Sequence, residues 1–287
     1  MKPNFLYLGG DKCGSTWLHR ILSLHPDVAL PGSKELFFFD RYFQRGTDWY
    51  MRQFDGLAAP RVGEICHDYL YSPPALERIA DFFDDDAVFL IVLRNPWVRM
   101  ISHHRYLQRI GKTALPLDGA IDSHAGLTAH SLYLQPVRQA IKLLGRERIR
   151  FLKYEDLASD PSGFGRQLSD ALGIGFEPEL PYAERVLEGS SARSGQVVRV
   201  LRAAGWRLRE LGLQNLVSSV KSNPLVNRAL FQRQTARSSP QDAGSTPQMA
   251  ELVQRFHEQS FGLEDACGLD LSDWREILDQ LPTSQVQ

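Results

Sequence analysis

Only three cysteines occur in the 287 residues, Cys13, Cys66 and Cys267, and none stands at metal-ligand spacing from another. That excludes a disulfide framework and a cysteine zinc site, and leaves reduced thiols. Neither sign of charge is in excess: 33 Lys and Arg face 34 Asp and Glu, so nothing global marks a nucleic-acid binder. No apolar run reaches the roughly 18 residues that a membrane-crossing helix needs. Met1-Lys2-Pro3-Asn4 leads into a strand pattern without the apolar core of a signal peptide, and the expectation is a cytoplasmic protein. No internal repeat is visible, and nothing marks a second domain.

What the chain does have is ample core material, 43% hydrophobic residues, in an alternating order. Strand patterns at Asn4–Gly9, Asp27–Leu30, Arg61–Cys66, Ala87–Leu93 and Ile149–Lys153 are separated by helical patterns at Ser15–Ser23, Thr47–Phe54, Pro73–Phe83, Pro96–Arg109, Ser131–Leu144 and Ser162–Leu172. "AVFLIVL" at 87–93 is a continuous run of the kind a parallel sheet buries on both faces. This order predicts an α/β fold, a central parallel sheet flanked by helices in one domain over 1–287. Residues 1–175 form its core and 176–287 a mostly helical cover, with an amphipathic helix over Val197–Val220, a mobile polar loop near 233–247 and a last helix over Pro247–Phe261. Between Ser190 and Pro240 basic residues, among them Arg193, Arg199, Arg228, Arg233 and Arg237, face a single acid, Glu210. That stretch is either a solvated face or a surface for something anionic.

The stretch "LYLGGDKCGSTWL" runs a strand through a glycine-bearing turn into a helix. Free N–H groups and the helix dipole make such a turn an anion site, and Lys12, Ser15 and Thr16 add a charge and two hydroxyls. The occupant is a phosphate-type group. A nucleotide triphosphatase loop needs lysine directly after its last glycine, followed by Ser or Thr. Here Lys12 precedes Gly14 by two, and Arg94 ends the strongest strand where a magnesium carboxylate is expected. A positive charge there suits a second anion.

Together these residues carry a resemblance. "GGDKCGSTWL" resembles the 5′-phosphosulfate loop of sulfotransferases that use 3′-phosphoadenosine 5′-phosphosulfate (PAPS). "LRNPWVRMISHHRY" is similar to the same family's 3′-phosphate motif, with Arg94 and Ser102 at the expected spacing. "KYEDLASDP" is familial too, and "GLDLSDW" resembles the C-terminus of many bacterial members. The resemblance implies a P-loop-like sulfotransferase fold, PAPS as co-substrate, adenosine 3′,5′-bisphosphate (PAP) as product, and no metal. It implies that Lys12 neutralises the departing phosphate, that Cys13, Gly14, Ser15 and Thr16 cradle it, and that Arg94 and Ser102 clamp the 3′-phosphate. Trp17 stands where relatives place a ring against adenine; the alternative is a core tryptophan. For Arg94 the alternative is a surface ion pair.

A general base must take the acceptor's proton. "PGSKELFFFD" is similar to the glycosaminoglycan-type branch, whose glutamate does this, which makes Glu35 a candidate with Lys34 beside it. His67 is the other, since "GEICHDYLYSPP" matches bacterial relatives in its glutamate and "YLYSP" but departs at Cys66, His67 and Asp68. His103 and His104 read as packing and pocket-lining residues, because neighbours on a helix project in different directions. The family's late glycine-basic loop is not found; Arg193 or the stretch around Arg233 stands as its replacement. The implied acceptor is a hydroxyl, less readily an amine, of a carbohydrate, lipid or natural product. The tail can favour an anionic acceptor, form an apolar lid or lie on a membrane surface. A P-loop small-molecule kinase and a non-catalytic nucleotide-binding module are the rival classes.

Overall fold

A computed structural model describes residues 2–184, 190–192, 231–233 and 246–281. Its centre is a five-stranded parallel sheet of β1 (Phe5–Gly9), β2 (Val28–Ala29), β3 (Arg61–Ile65), β4 (Val88–Leu93) and β5 (Ile149–Lys153), in the order β2-β3-β1-β4-β5. The central pair registers Phe5 with Val88 and Tyr7 with Leu90, and β4 continues to β5 with Leu93 opposite Lys153.

Side-chain alternation explains the layers. Leu6 and Leu8 of β1 and Phe89, Ile91 and Leu93 of β4 enter one core, whereas Phe5, Tyr7, Val88, Leu90 and Val92 enter the other. The first face is covered by α3 (Pro73–Phe82), α7 (Leu134–Leu144) and the C-terminal α10 (Pro247–Cys267) and α11 (Ser272–Asp279). The second is covered by α1 (Ser15–Leu22) and α9 (Pro161–Leu172). A third core joins α4 (Pro96–Arg109), α5 (Leu117–Ile121) and α6 (Gly126–Ala129) to α10. Two short helices complete the set among the described residues, α2 (Thr47–Met51) and α8 (Tyr154–Ser159), and a small antiparallel ladder pairs Ser190 with Arg233.

The expected parallel sheet is present, with differences in detail. The helix predicted from Ser131 begins at Leu134, because the Ser131 hydroxyl is drawn into bonds with the Arg99 Nε and with the Pro96 and Leu127 carbonyls. The last long helix runs past Phe261 to Cys267, and "GLDLSDW" opens a further helix. The helix expected over Val197–Val220, residues 234–245 of the expected polar loop and the basic side chains from Arg193 to Arg237 lie outside the described residues. No described helix is long and apolar enough to cross a membrane.

Candidate active site

The loop between β1 and α1 is shaped by backbone conformation. Lys12 and Gly14 both have positive φ, 65° and 88°, and Gly14 sits at the helix N-cap. A side chain at Gly14 would press on Leu157 at 3.0 Å, so the glycine answers both a conformation and a close approach. At Lys12 no such relief exists, and a non-glycine residue there costs about 1–2 kcal/mol that the surroundings must hold down. They do so through Gly10, whose N–H donates to the Val92 carbonyl at 2.8 Å, and through Arg94, whose Nη1 donates to the Lys12 carbonyl at 3.1 Å.

Lys12 Nζ lies 4.3 Å from the centre of the Tyr106 ring on α4. Burial brings its ammonium down to about 8, opposed by Asp11 and assisted by Arg109, Arg99 and Lys34. Ser102 stands one turn before Tyr106, on the same helix face. Arg94 stacks on Tyr154 at 4.2 Å, and its buried Nε has no hydrogen-bond acceptor among the described residues. Glu155 and Cys13 feel its charge, but the buried Nε stays without an acceptor among the described residues. That orphaned donor, the Lys12 ammonium and the free N–H groups of the α1 start suit a ligand with two separate anionic groups.

Glu35 and His67 come together. Glu35 Oε1 lies 2.9 Å from His67 Nδ1 and accepts from Lys34 Nζ at 3.0 Å, and Lys34 Nζ donates onward to Ser15 Oγ at 3.1 Å. The β1–α1 loop and the carboxylate–imidazole pair are thus joined by one ammonium. His67 Nε2 faces Asp68 Oδ1 at 3.2 Å and Asp11 Oδ1 at 3.6 Å. Burial works against an imidazolium there, but Glu35 first and then Asp11 and Asp68 outweigh it and push His67 up to about 9. Beneath Glu35, the buried Glu64 accepts from the Leu36 N–H at 2.7 Å, and burial raises its carboxyl to about 8 against that bond and those from Tyr50 and Tyr69.

Three residues missed in the sequence organise the floor: Asp11, Arg99 and His130. Asp11 Oδ2 faces Arg99 Nη1 at 3.5 Å, His103 Nδ1 at 3.4 Å and His130 Nδ1 at 3.6 Å. Burial opposes its charge, yet His130 first and then His67, His103 and Arg99 hold the carboxyl well below the usual range. Ligand atoms of Asp11, His103 and His130 lie within 4.8 Å of one another, close enough for a metal ion. However, Arg99 also approaches His103 Nδ1 at 3.3 Å, so a fully buried guanidinium already occupies that cluster, and it reads as a charge network. A signal existed for Arg99 alone: an arginine on the apolar face of an otherwise amphipathic helix.

Other expected site residues are placed differently. The Cys13 thiol turns inward towards Tyr133, its ionisation pushed up to about 12 by burial, so only its backbone faces the loop. Trp17 is 8% exposed, donates Nε1–H to the Tyr182 carbonyl at 2.9 Å and meets Phe164 edge-on. The α1 face that carries it is the one that closes on α9. Thr16 is half-buried at the start of α1. Of the two histidines expected to pack and line the pocket, His103 contacts Asp11 and His104 bonds to the Leu115 carbonyl.

The family profile described as "Sulfotransferase domain" matches residues 2–193. Human heparan sulfate glucosamine 3-O-sulfotransferase 6 is 34% identical over 186 residues, 60% of this chain and 52% of that protein. The bifunctional heparan sulfate N-deacetylase/N-sulfotransferase 1 of Caenorhabditis briggsae is 25% identical over 208 residues, 64% of this chain and 24% of its own length. The chain spans about half the length of the human relative it matches. Among solved structures, a sulfotransferase from Alicyclobacillus acidocaldarius superposes with a TM-score of 0.67 at 24% identity, covering 96% of this chain and 99% of that one. A mouse sulfotransferase complexed with PAP gives 0.51 at 14% identity, covering 97% of this chain and 87% of that one. These likenesses show the P-loop-like sulfotransferase fold.

Proposed function

We propose that this chain, which belongs to the sulfotransferase domain family, moves a sulfuryl group from PAPS to a hydroxyl of a carbohydrate acceptor, with Glu35 as general base. The observation that carries the reading is the run Ser15–Lys34–Glu35–His67, which sets a proton acceptor beside the anion loop. Bound PAPS supplies the activated sulfuryl group. Lys12 and the backbone from Cys13 to Thr16 would hold its 5′ end, and Arg94 and Ser102 its 3′-phosphate. The Arg94 Nε that lacks an acceptor fits that assignment.

Each residue has a distinct part in the transfer. As the acceptor oxygen forms its bond to sulfur and the sulfur–phosphate oxygen bond breaks, Glu35 takes the hydroxyl proton, and Lys12 offsets the negative charge that appears on the leaving phosphate. His67, raised to about 9, is an imidazolium at neutral pH and has no lone pair with which to accept a proton. That favours Glu35 as the base and makes His67 its cationic neighbour. With Lys12 supplying the positive charge, turnover is expected to survive chelation. The heparan sulfate 3-O-sulfotransferase relatives make a glycan hydroxyl the first acceptor to try, and the N-sulfotransferase relative a glycan amine the second.

The test is transfer from labelled PAPS to a panel of heparan-type saccharides, lipids and small hydroxyl compounds, with Glu35→Gln alongside. Label on a saccharide, lost by about 10²-fold or more in the variant while PAP binding persists, supports the proposal. Equal labelling by both proteins removes Glu35 as base, and protection by ATP with magnesium but not by PAP favours the kinase reading.

A further inference from the structure

The segment carrying Glu35 has an irregular backbone: Glu35 and Phe37 both have positive φ, 64° and 53°. L side chains adopt that region only where their surroundings over-determine it. Here three amides are fixed from beneath. The Glu35 N–H donates to the Ile65 carbonyl at 3.1 Å. The Leu36 N–H donates to Glu64 Oε1 at 2.7 Å, and the Phe38 N–H donates to the Tyr69 hydroxyl at 2.8 Å. With an oxygen lone pair given to Phe38, Tyr69 directs its proton to Glu64, at 3.2 and 3.3 Å from the two carboxylate oxygens. Tyr50 also donates to Glu64, at 3.1 Å, but bonds to neither the Leu36 nor the Phe38 amide. Glu64, Tyr50 and Tyr69 are all fully buried.

We infer that Glu64 and Tyr69 are positioning residues for the proton-accepting site: they pin the two amides that flank Phe37 and so hold the Glu35 carboxylate against His67 and Lys34. Glu64 is suited to this because its two oxygens meet the Leu36 amide and both tyrosine hydroxyls at once. Its place at the end of β3, next to the central β1, ties the pinned segment to the most rigid part of the sheet. The inference rests on the reading of Glu35 as base.

Tyr50 and Tyr69 provide the matched comparison, since each loses one hydroxyl bond to Glu64 on conversion to Phe, yet only Tyr69 holds an amide of the segment. In Tyr69→Phe we expect turnover to fall about tenfold or more, in Tyr50→Phe by less than about threefold, and PAP affinity to stay within about twofold in both. Amide hydrogen exchange reads the pin without reference to catalysis: faster at Phe38 in Tyr69→Phe, faster at Leu36 in Glu64→Gln, unchanged at both in Tyr50→Phe. Equal turnover in the two tyrosine variants, or unchanged exchange at both amides, overturns the inference. If Glu64→Gln does not fold, the two tyrosine variants suffice to support or overturn it. If Glu35→Gln keeps full turnover, the base assignment fails, and the exchange data still decide whether these residues pin the segment.

Discussion

Glu35 Oε1 and His67 Nδ1 lie 2.9 Å apart in a half-closed site, the two candidate bases of the sequence brought into one pair. The pair has a pH signature. His67 is raised from its ordinary 6.5 to about 9, so its contribution to stability is complete below about 6.5 and is lost as pH climbs through 9. The gap in unfolding free energy between the native chain and His67→Asn should be on the order of 2–3 kcal/mol at pH 6 and close by about pH 9.5, measured by urea titration at several pH values. A gap that widens with pH contradicts the pairing.

Lys12 carries the opposite sign. Brought down to about 8 by burial, it is partly neutral in mildly alkaline solution, where an anionic nucleotide can bind well only by recruiting the missing proton. PAP affinity by titration calorimetry is expected to weaken as pH rises from 7.5 to 9. Lys12→Met should bind PAP at least about tenfold more weakly and lose most of that slope. A Lys12→Met protein with the native slope would remove Lys12 from the donor site.

Asp11 anchors the floor against a guanidinium with no solvent exposure. Asp11→Asn keeps the size of the side chain but leaves Arg99 without that carboxylate, and removing one partner of a buried pair costs about 3 kcal/mol or more. The urea midpoint should drop with its slope unchanged. A loss under about 1 kcal/mol would mean that the Ser131, Gly126 and Leu127 oxygens satisfy Arg99 unaided.

What was legible in the sequence is what local patterning decides. The continuous apolar runs at Phe5–Gly9 and Val88–Leu93 dictate a sheet covered on both faces, and that sheet is present. Lys12, Glu35 and Arg94 became site candidates because each belongs to a short motif that follows a strand. Asp11 and His130 escaped notice, because their partnership with Arg99 joins three distant segments and only that arginine, on an apolar helix face, hinted at it. Trp17 marks the same boundary: the helix around it was visible, but the face on which the ring would lie depended on Phe164 and Tyr182.

The C-terminal motif yields the last prediction. Trp274 is fully buried on α11 and donates Nε1–H to Glu155 Oε2 at 3.1 Å, while Glu155 Oε1 accepts the Asn95 N–H at 3.0 Å. Asn95 closes the ring by donating Nδ2–H to the Trp274 carbonyl at 3.3 Å, and its Oδ1 caps α4 through Trp97 and Val98. The residue before Asn95 is Arg94, so the C-terminal helix steadies the strand end that presents the guanidinium. Trp274→Phe keeps much of the apolar volume and deletes one donor, leaving Glu155 Oε2 without it in a site where burial already raises the carboxyl. The expected cost is about 1–3 kcal/mol of stability, with a loss in PAP affinity that exceeds any loss in turnover at saturating donor. Glu155→Gln should behave likewise, and the double variant should cost clearly less than the sum of the two, since both act on one hydrogen-bonded ring. Strictly additive losses, or an undiminished PAP affinity in both single variants, would separate α11 from the donor site.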